Sequence, residues 1–313
     1  MNEEQILEAI CPFTTGIGDD AALWQPSRSH RSAISSDMLV ENVDFTRDAM
    51  ALQDVGWRAM AANVSDLAAM GAKPVLATVA LGFPETMTLD EIVELYRGLA
   101  ACAARGKLVV VGGDLSRAPA LTIAITVVGE VRTSNVKTRA GGRPGDVVAV
   151  TGKLGAARAG LELTRNPELI DGELREEALR AFRHPQARVA EGRFLAANRN
   201  VTAMIDCSDG LSTDLSRLAA ASGCGATVEC VPLARSARAV AEAQGEDPER
   251  FGLAGGEDFE LIAAIRARAY RHVAARYAAR FHHELLRVGV LRAEPGVVWN
   301  GAPLERSGWD HFR

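Results

Sequence analysis

The sequence predicts an α/β (α+β) protein of two domains with no P-loop. Three observations point to it: the length of 313 residues, short β-branched runs alternating with amphipathic stretches, and a glycine–proline turn near the middle. At roughly 150 residues per domain the length suits two. The first strand is read at 32–36. A helix follows at 52–70, with Trp57, Met60, Val64 and Leu67 on one face and Gly71 as its stop. Next come a strand at 75–81, a helix at 89–105, an all-apolar strand at 108–111 and a β-branched strand at 121–131. The run GGRPGD at 141–146 is a turn, and 147–150 is a buried strand behind it. The domain boundary is placed there, giving domains 1–150 and 151–313. The second half repeats the style, with helices from Ala156, at 173–182 and at 186–198. A strand at 201–205, a helix at 211–222 and a strand at 259–265 complete it.

Composition excludes several classes. Lys and Arg number 35 against 40 Asp and Glu, a net charge of −5, so no basic surface is expected to hold nucleic acid. The five cysteines, Cys11, Cys102, Cys207, Cys224 and Cys230, are odd in number and lack a CxxC pair. No apolar run approaches the roughly 20 residues of a membrane span. The start MNEEQILEAI lacks the basic region of a signal peptide. A reducing cytoplasm is the expected compartment.

The chemistry lies in the aspartates. Asp19 and Asp20 sit in GIGDDAA, Asp37 closes SAISSD, Asp66 lies in NVSDLAAMGA, Asp114 closes VVVGGD, and Asp206 and Asp209 lie in MIDCSDGL. Asp37, Asp114 and Asp206 fall just past the ends of the strands as read, where α/β proteins bind ligands. Short carboxylates suit magnesium, which keeps waters and bridges to substrate phosphates. Taken singly, each aspartate also reads as a turn or N-cap residue; together they favour a metal site. Asp66 is the most telling, because a carboxylate inside an apolar helical run is costly unless paired or metal-bound. Asn63 precedes it by one turn on the same face.

Known phosphate loops do not fit. Gly16 to Ala21 imitates a dinucleotide fingerprint, but two carboxylates stand where a bare phosphate would go. In TGKLG, Lys153 is followed by leucine, so no Walker A motif is present. Kinase VAIK, HRD and DFG motifs and a GxSxG elbow are missing, and no catalytic nucleophile or general base is assigned. Metals would have to neutralise any nucleotide phosphates, with Arg139 either pairing with one of them or standing as an ordinary surface arginine.

Eight segments, in order, carry a resemblance: GIGDDAA, SSDMLVENVDF, NVSDLAAMGAKP, VGGD, TRAGGRPGD, IDCSDGLSTDL, GGEDFEL and GWDHF. Together they resemble the thiamine-monophosphate kinase family, within the superfamily of aminoimidazole ribonucleotide synthetase and selenophosphate synthetase. The resemblance covers nearly the whole chain. It implies ATP-dependent phosphorylation of thiamine monophosphate to thiamine diphosphate. It also implies a homodimer formed through the N-terminal sheet, and a C-terminal domain closing over the site. The implied magnesium ligands are Asp20, Ser35, Ser36, Asp37, Asp66, Asp114, Asp206 and Asp209. Gly113, Asp114, Arg139, Ser208 and Tyr96 would contact ATP; Glu257 and Trp309 would face the thiamine moiety. Asp44 is a departure, since the family commonly has histidine there, and an aspartate cannot grip a phosphate directly. Other ATP-using members of the superfamily (a selenophosphate synthetase-like enzyme or an amidine-forming ligase), a phosphohydrolase, and a non-catalytic nucleotide- or metal-binding regulator stand as alternatives.

Overall fold

A computed structural model describes residues 3–14 and 26–308. Cα packing divides the chain into two compact units, 1–67 with 72–133, and 68–71 with 134–313.

The first unit contains α1 (Glu3–Ile10), β1 (His30–Val40), α2 (Leu52–Ala69), β2 (Lys73–Phe83), α3 (Leu89–Gly106), β3 (Val109–Arg117) and β4 (Thr122–Arg132). Its four strands lie in the order β1-β4-β2-β3; only β2 and β3 run parallel. The inner face is apolar, with Ile123, Ile125, Val127, Ala77 and Val79 all fully buried. Helices α2 and α3 cross at backbone contact, because a Cβ on Gly56 would stand 2.1 Å from Leu95 O and one on Gly98 would stand 1.8 Å from Gln53 O. A capping box starts α3: Glu91 N–H donates to Thr88 Oγ1 at 3.3 Å, and Thr88 N–H donates to the Glu91 carboxylate at 2.7 Å.

The second unit carries β5 (Val147–Val150), α4 (Ala156–Arg165), α5 (Gly172–Arg183), α6 (Val189–Ala196), β6 (Val201–Cys207), α7 (Leu211–Ala221) and β7 (Gly225–Val228). After these come α8 (Arg235–Gln244), α9 (Pro248–Ala254), β8 (Glu260–Ile265), α10 (Ala267–Phe281), β9 (Leu286–Arg292), β10 (Gly296–Trp299) and β11 (Ala302–Pro303). The seven strands form a mixed sheet, β11-β10-β7-β9-β5-β8-β6. Its centre is buried on both faces: every residue of β5 and β8 is buried, and all but Glu260 are apolar.

Two-domain α/β architecture is thus what the chain adopts, with differences of detail. The seam lies at 133/134, ahead of the glycine–proline turn, and β5 pairs with β8 and β9 in the second sheet instead of closing the first domain. Asp37, Asp114 and Asp206 lie inside β1, β3 and β6, not beyond their ends. The polar run SSDM and the weak strand formers Gly112 and Gly113 hid these extensions. Pairing keeps Gly113 in the strand, where a Cβ would stand 1.7 Å from Val79 O. Among the described residues no helix is long and apolar enough to cross a membrane.

Candidate functional site

In the first unit, strand alternation sorts the expected ligands onto two faces. Ser35 and Asp37 share the inner phase of β1 with buried Leu39. There the Ser35 hydroxyl donates to the Asp66 carboxylate on α2. Asp37 N–H donates to Asn63 Oδ1 at 3.0 Å, and the Asn63 amide donates back to Ala59 O at 2.9 Å. Asn63 is therefore a fully buried clamp between α2 and β1 that sequence reading reduced to a neighbour of Asp66. Ser36 points the other way, donating to Ile125 O at 3.1 Å and lying 3.0 Å from the Thr126 hydroxyl. Asp114 pairs with exposed Ala80, Ala80 with Ala124, and Ala124 with exposed Met38, so Asp114 also stands on the outer face. The unit brings Ser35, Asp37 and Asp66 together, and sets Ser36 and Asp114 apart from them.

Asp44 has a local task. Its carboxylate accepts from Val40 N–H at 2.7 Å and closes the turn after β1. Its charge also supports buried Arg58, whose pKa burial lowers to about 10 while Asp44 opposes the shift. Tyr96 is buried on α3, its ring centroid 6.5 Å from that of Phe13, and burial pushes its hydroxyl up to about 12. That is a packing position against Phe13. Asp20 and Trp309 lie outside the described residues.

In the second unit the acids gather where β6 and β8 run side by side. Asp206 is buried opposite Leu261, and Cys207 opposite Glu260. The Cys207 thiol is held well above its ordinary pKa by burial, then by the negative charges of Asp214, Asp258, Asp206 and Glu260, which places four carboxyls around one strand end. The loop Ser208–Asp209–Gly210 leaves β6 and enters α7. Asp214 organises it, accepting from Asp209 N–H at 2.9 Å and Gly210 N–H at 3.1 Å. Arg217 donates to both Asp209 and Asp214. Burial, then the Asp209 charge, raises the Asp214 pKa to about 6.

The GGEDF segment lies against the same loop. Glu257 N–H donates to Ser208 O at 2.7 Å, and Phe259 N–H to Cys207 O at 3.0 Å. Glu257 and Phe259 both take left-handed backbone, φ 65° and φ 49°, an uncommon and strained choice for these residues. Asp258 between them accepts from Gly155 N–H at 2.6 Å and Ala157 N–H at 3.2 Å, the first turn of α4. Burial outweighs those bonds and raises its carboxyl to about 7. Glu260 accepts from Thr151 Oγ1 at 2.6 Å and from Arg188 at 2.9 and 2.5 Å. Gly308 packs on the loop, its N–H donating to Thr213 Oγ1 at 3.2 Å and a Cβ there falling 1.9 Å from Asp209 O. Asp206, Ser208, Asp209 and Glu257 are thus one neighbourhood. Arg139 is exposed; Ser222 donates to its carbonyl at 2.9 Å.

Sequence reading missed Asp214, Arg217, Asp258 and Glu260, although all four lie in or next to motifs it singled out. The signal available was the place of Asp214 in an amphipathic helix and of Glu260 in an apolar strand, where an acid needs a partner. Among the described residues no three His, Cys, Asp or Glu side chains form a metal cage. The donors are carboxylates and hydroxyls in small sets, and hard cations bind oxygen of this kind.

The two parts of the chain match family models for AIR synthase-related proteins, the N-terminal domain over residues 18–131 and the C-terminal domain over 143–280. The fold is therefore that of this class. The thiamine-monophosphate kinase of Bacillus subtilis is 31% identical, with 100% of each chain covered. The crystal structure of thiamine-monophosphate kinase from Stenotrophomonas maltophilia superposes with a TM-score of 0.85 at 32% identity, covering 97% of this chain and 98% of that one. AaThiL complexed with AMPPCP and TMP gives 0.81 at 28% identity over 100% and 99%. The chain belongs to the thiamine-monophosphate kinase family, and it is an enzyme.

Proposed function

We propose that this enzyme transfers the γ-phosphoryl group of ATP to thiamine monophosphate, making thiamine diphosphate. The observation that carries this reading is the end-to-end likeness to kinases of that name, one of them complexed with an ATP analogue and TMP. The acceptor is itself a phosphate monoester with a second pKa of about 6, so it is largely dianionic at neutral pH. It needs no strong general base, and none is assigned. The obstacle is repulsion between two polyanions. Magnesium, when bound, would offset that charge and align the β- and γ-oxygens for in-line attack. The residues that would hold it are Asp66 with Ser35 and Asp37, and Asp206 with Asp209. Asp20, Ser36 and Asp114 complete the proposed set. One or two carboxylates plus phosphate oxygens are a normal magnesium site, so small donor sets of this kind suffice.

The remaining residues position the substrates. Gly113 and Ser208 offer backbone and hydroxyl groups to the nucleotide, Arg139 an exposed guanidinium, and Tyr96 a wall behind it. Glu257, fixed by its bond to Ser208, faces the thiamine side with Trp309. Asp44 contributes by shaping its turn and supporting Arg58 instead of gripping phosphate. A homodimer is proposed from the outer face of the first sheet. There Ile34, Val128, Leu76 and Val109 form an apolar row across all four strands, and Ile34 is 69% exposed. Asp114 stands on that same face. The setting is proposed to be the cytoplasm.

ADP release measured across candidate acceptors, with and without magnesium, tests the assignment: release is expected with thiamine monophosphate and magnesium together. Release without any acceptor would indicate a phosphohydrolase. Inversion at a chiral γ-phosphorus is expected for direct transfer, and retention would show a phospho-enzyme.

A further inference from the structure

We propose that Arg217 is a built-in counter-cation for Asp209, which it yields to a divalent cation, so that it sets how tightly that cation is held. The inference rests on the reading of Asp209 as a metal holder. Arg217 lies on α7, eight residues after Asp209, and its Nη1 donates to Asp209 and, at 2.9 Å, to Asp214. The two acceptors are unequal. The Asp214 side chain is 1% exposed and pinned by the backbone N–H groups of Asp209 and Gly210. The Asp209 side chain is 25% exposed, and among the described residues Arg217 is the one side chain bonded to it.

Asp209 can therefore turn away while Asp214 stays. When it does, the guanidinium keeps one carboxylate and, being 37% exposed, regains water on its freed side. No charge is stranded in a dry interior, so the exchange has a modest cost. In the absence of a cation the same guanidinium screens two carboxylates that would otherwise repel across the loop. Cation and guanidinium compete for one carboxylate, and that fixes a sign: removing Arg217 tightens the cation. A purely structural arginine predicts the reverse, because losing it would loosen the loop and weaken the cation.

The test is titration of the full-length protein with Mn2+ alone, free Mn2+ being read by electron paramagnetic resonance. Arg217→Gln is expected to tighten binding about fivefold, the factor matching loss of one partly exposed arginine–carboxylate pair. Arg217→Lys, a point charge that cannot span both carboxylates, keeps the charge should the glutamine variant fold poorly; its affinity is expected to fall between the two. Asp209→Asn is expected to weaken binding, and in that background Arg217→Gln is expected to change nothing. Unchanged or weaker Mn2+ binding in the Arg217 variants, with Asp209→Asn still weakened, overturns this inference alone. Wild-type binding in Asp209→Asn, or no saturable binding in the unaltered protein, overturns the metal reading of Asp209 along with it.

Discussion

Asp66 shows what one side chain can settle. It projects from α2 toward β1, where the Ser35 hydroxyl meets it. Asp66→Asn keeps size and shape but removes the charge. Turnover should fall by at least about a hundredfold, as expected when an electrostatic group is lost from a phosphoryl-transfer site. The thermal midpoint should stay near that of the unaltered protein; near-normal turnover would take Asp66 out of the metal set. Asp258 gives a prediction in pH. Its folded pKa of about 7 lies above the ordinary carboxylate value of 3.8, so between those values the folded state holds more protons than the unfolded chain. Its contribution is fully present below about 3.8 and is lost as pH rises through 7. Urea unfolding should therefore show stability falling from pH 4 to 7 through this group, and the slope should flatten in Asp258→Asn. Asp214 acts in the same direction up to about 6, so a part of the slope remains.

At the scale of elements, the close crossing of α2 and α3 presents Asn63 and Asp66 to β1. Gly98→Ala places a methyl group against Gln53 O and forces the helices apart. A loss of about 2–3 kcal/mol is expected from such overpacking, together with reduced activity, because α2 carries the clamp. Thr88→Ala is the control on the same helix. It removes a cap worth about 1 kcal/mol and should leave turnover unchanged. These elements were legible to different degrees. Helix α2 shows in its apolar stripe and in Gly71, which takes φ 71°. Strand β3 was read short because Gly112, Gly113 and Asp114 have poor strand propensity, and only pairing with β2 holds them. Strands β7 and β9–β11 and helices α8–α10 escaped because short apolar runs and alanine–arginine helices carry weak periodic contrast.

At the scale of the molecule, two mixed sheets replace the simple alternation of strand and helix that the sequence suggests. Asp37 and Asp114 sit within strands on opposite faces of the first sheet, and Asp206 sits within a strand of the second. What the sequence did show was the motif order, and the family follows from that. The face on which each acid stands could not be read, because it depends on register and not on spacing. The outer row of the first sheet leads to a further expectation. Ile34→Glu should shift the sedimentation coefficient from dimer to monomer, whereas an unchanged coefficient would place the dimer contact elsewhere or remove it.

The most direct test of the central claim is to follow purified enzyme, ATP, magnesium and thiamine monophosphate by chromatography. Thiamine diphosphate and ADP should appear in equal amounts, and chelating the magnesium should abolish both. ADP accumulating with inorganic phosphate, and with thiamine monophosphate unconsumed, would contradict it.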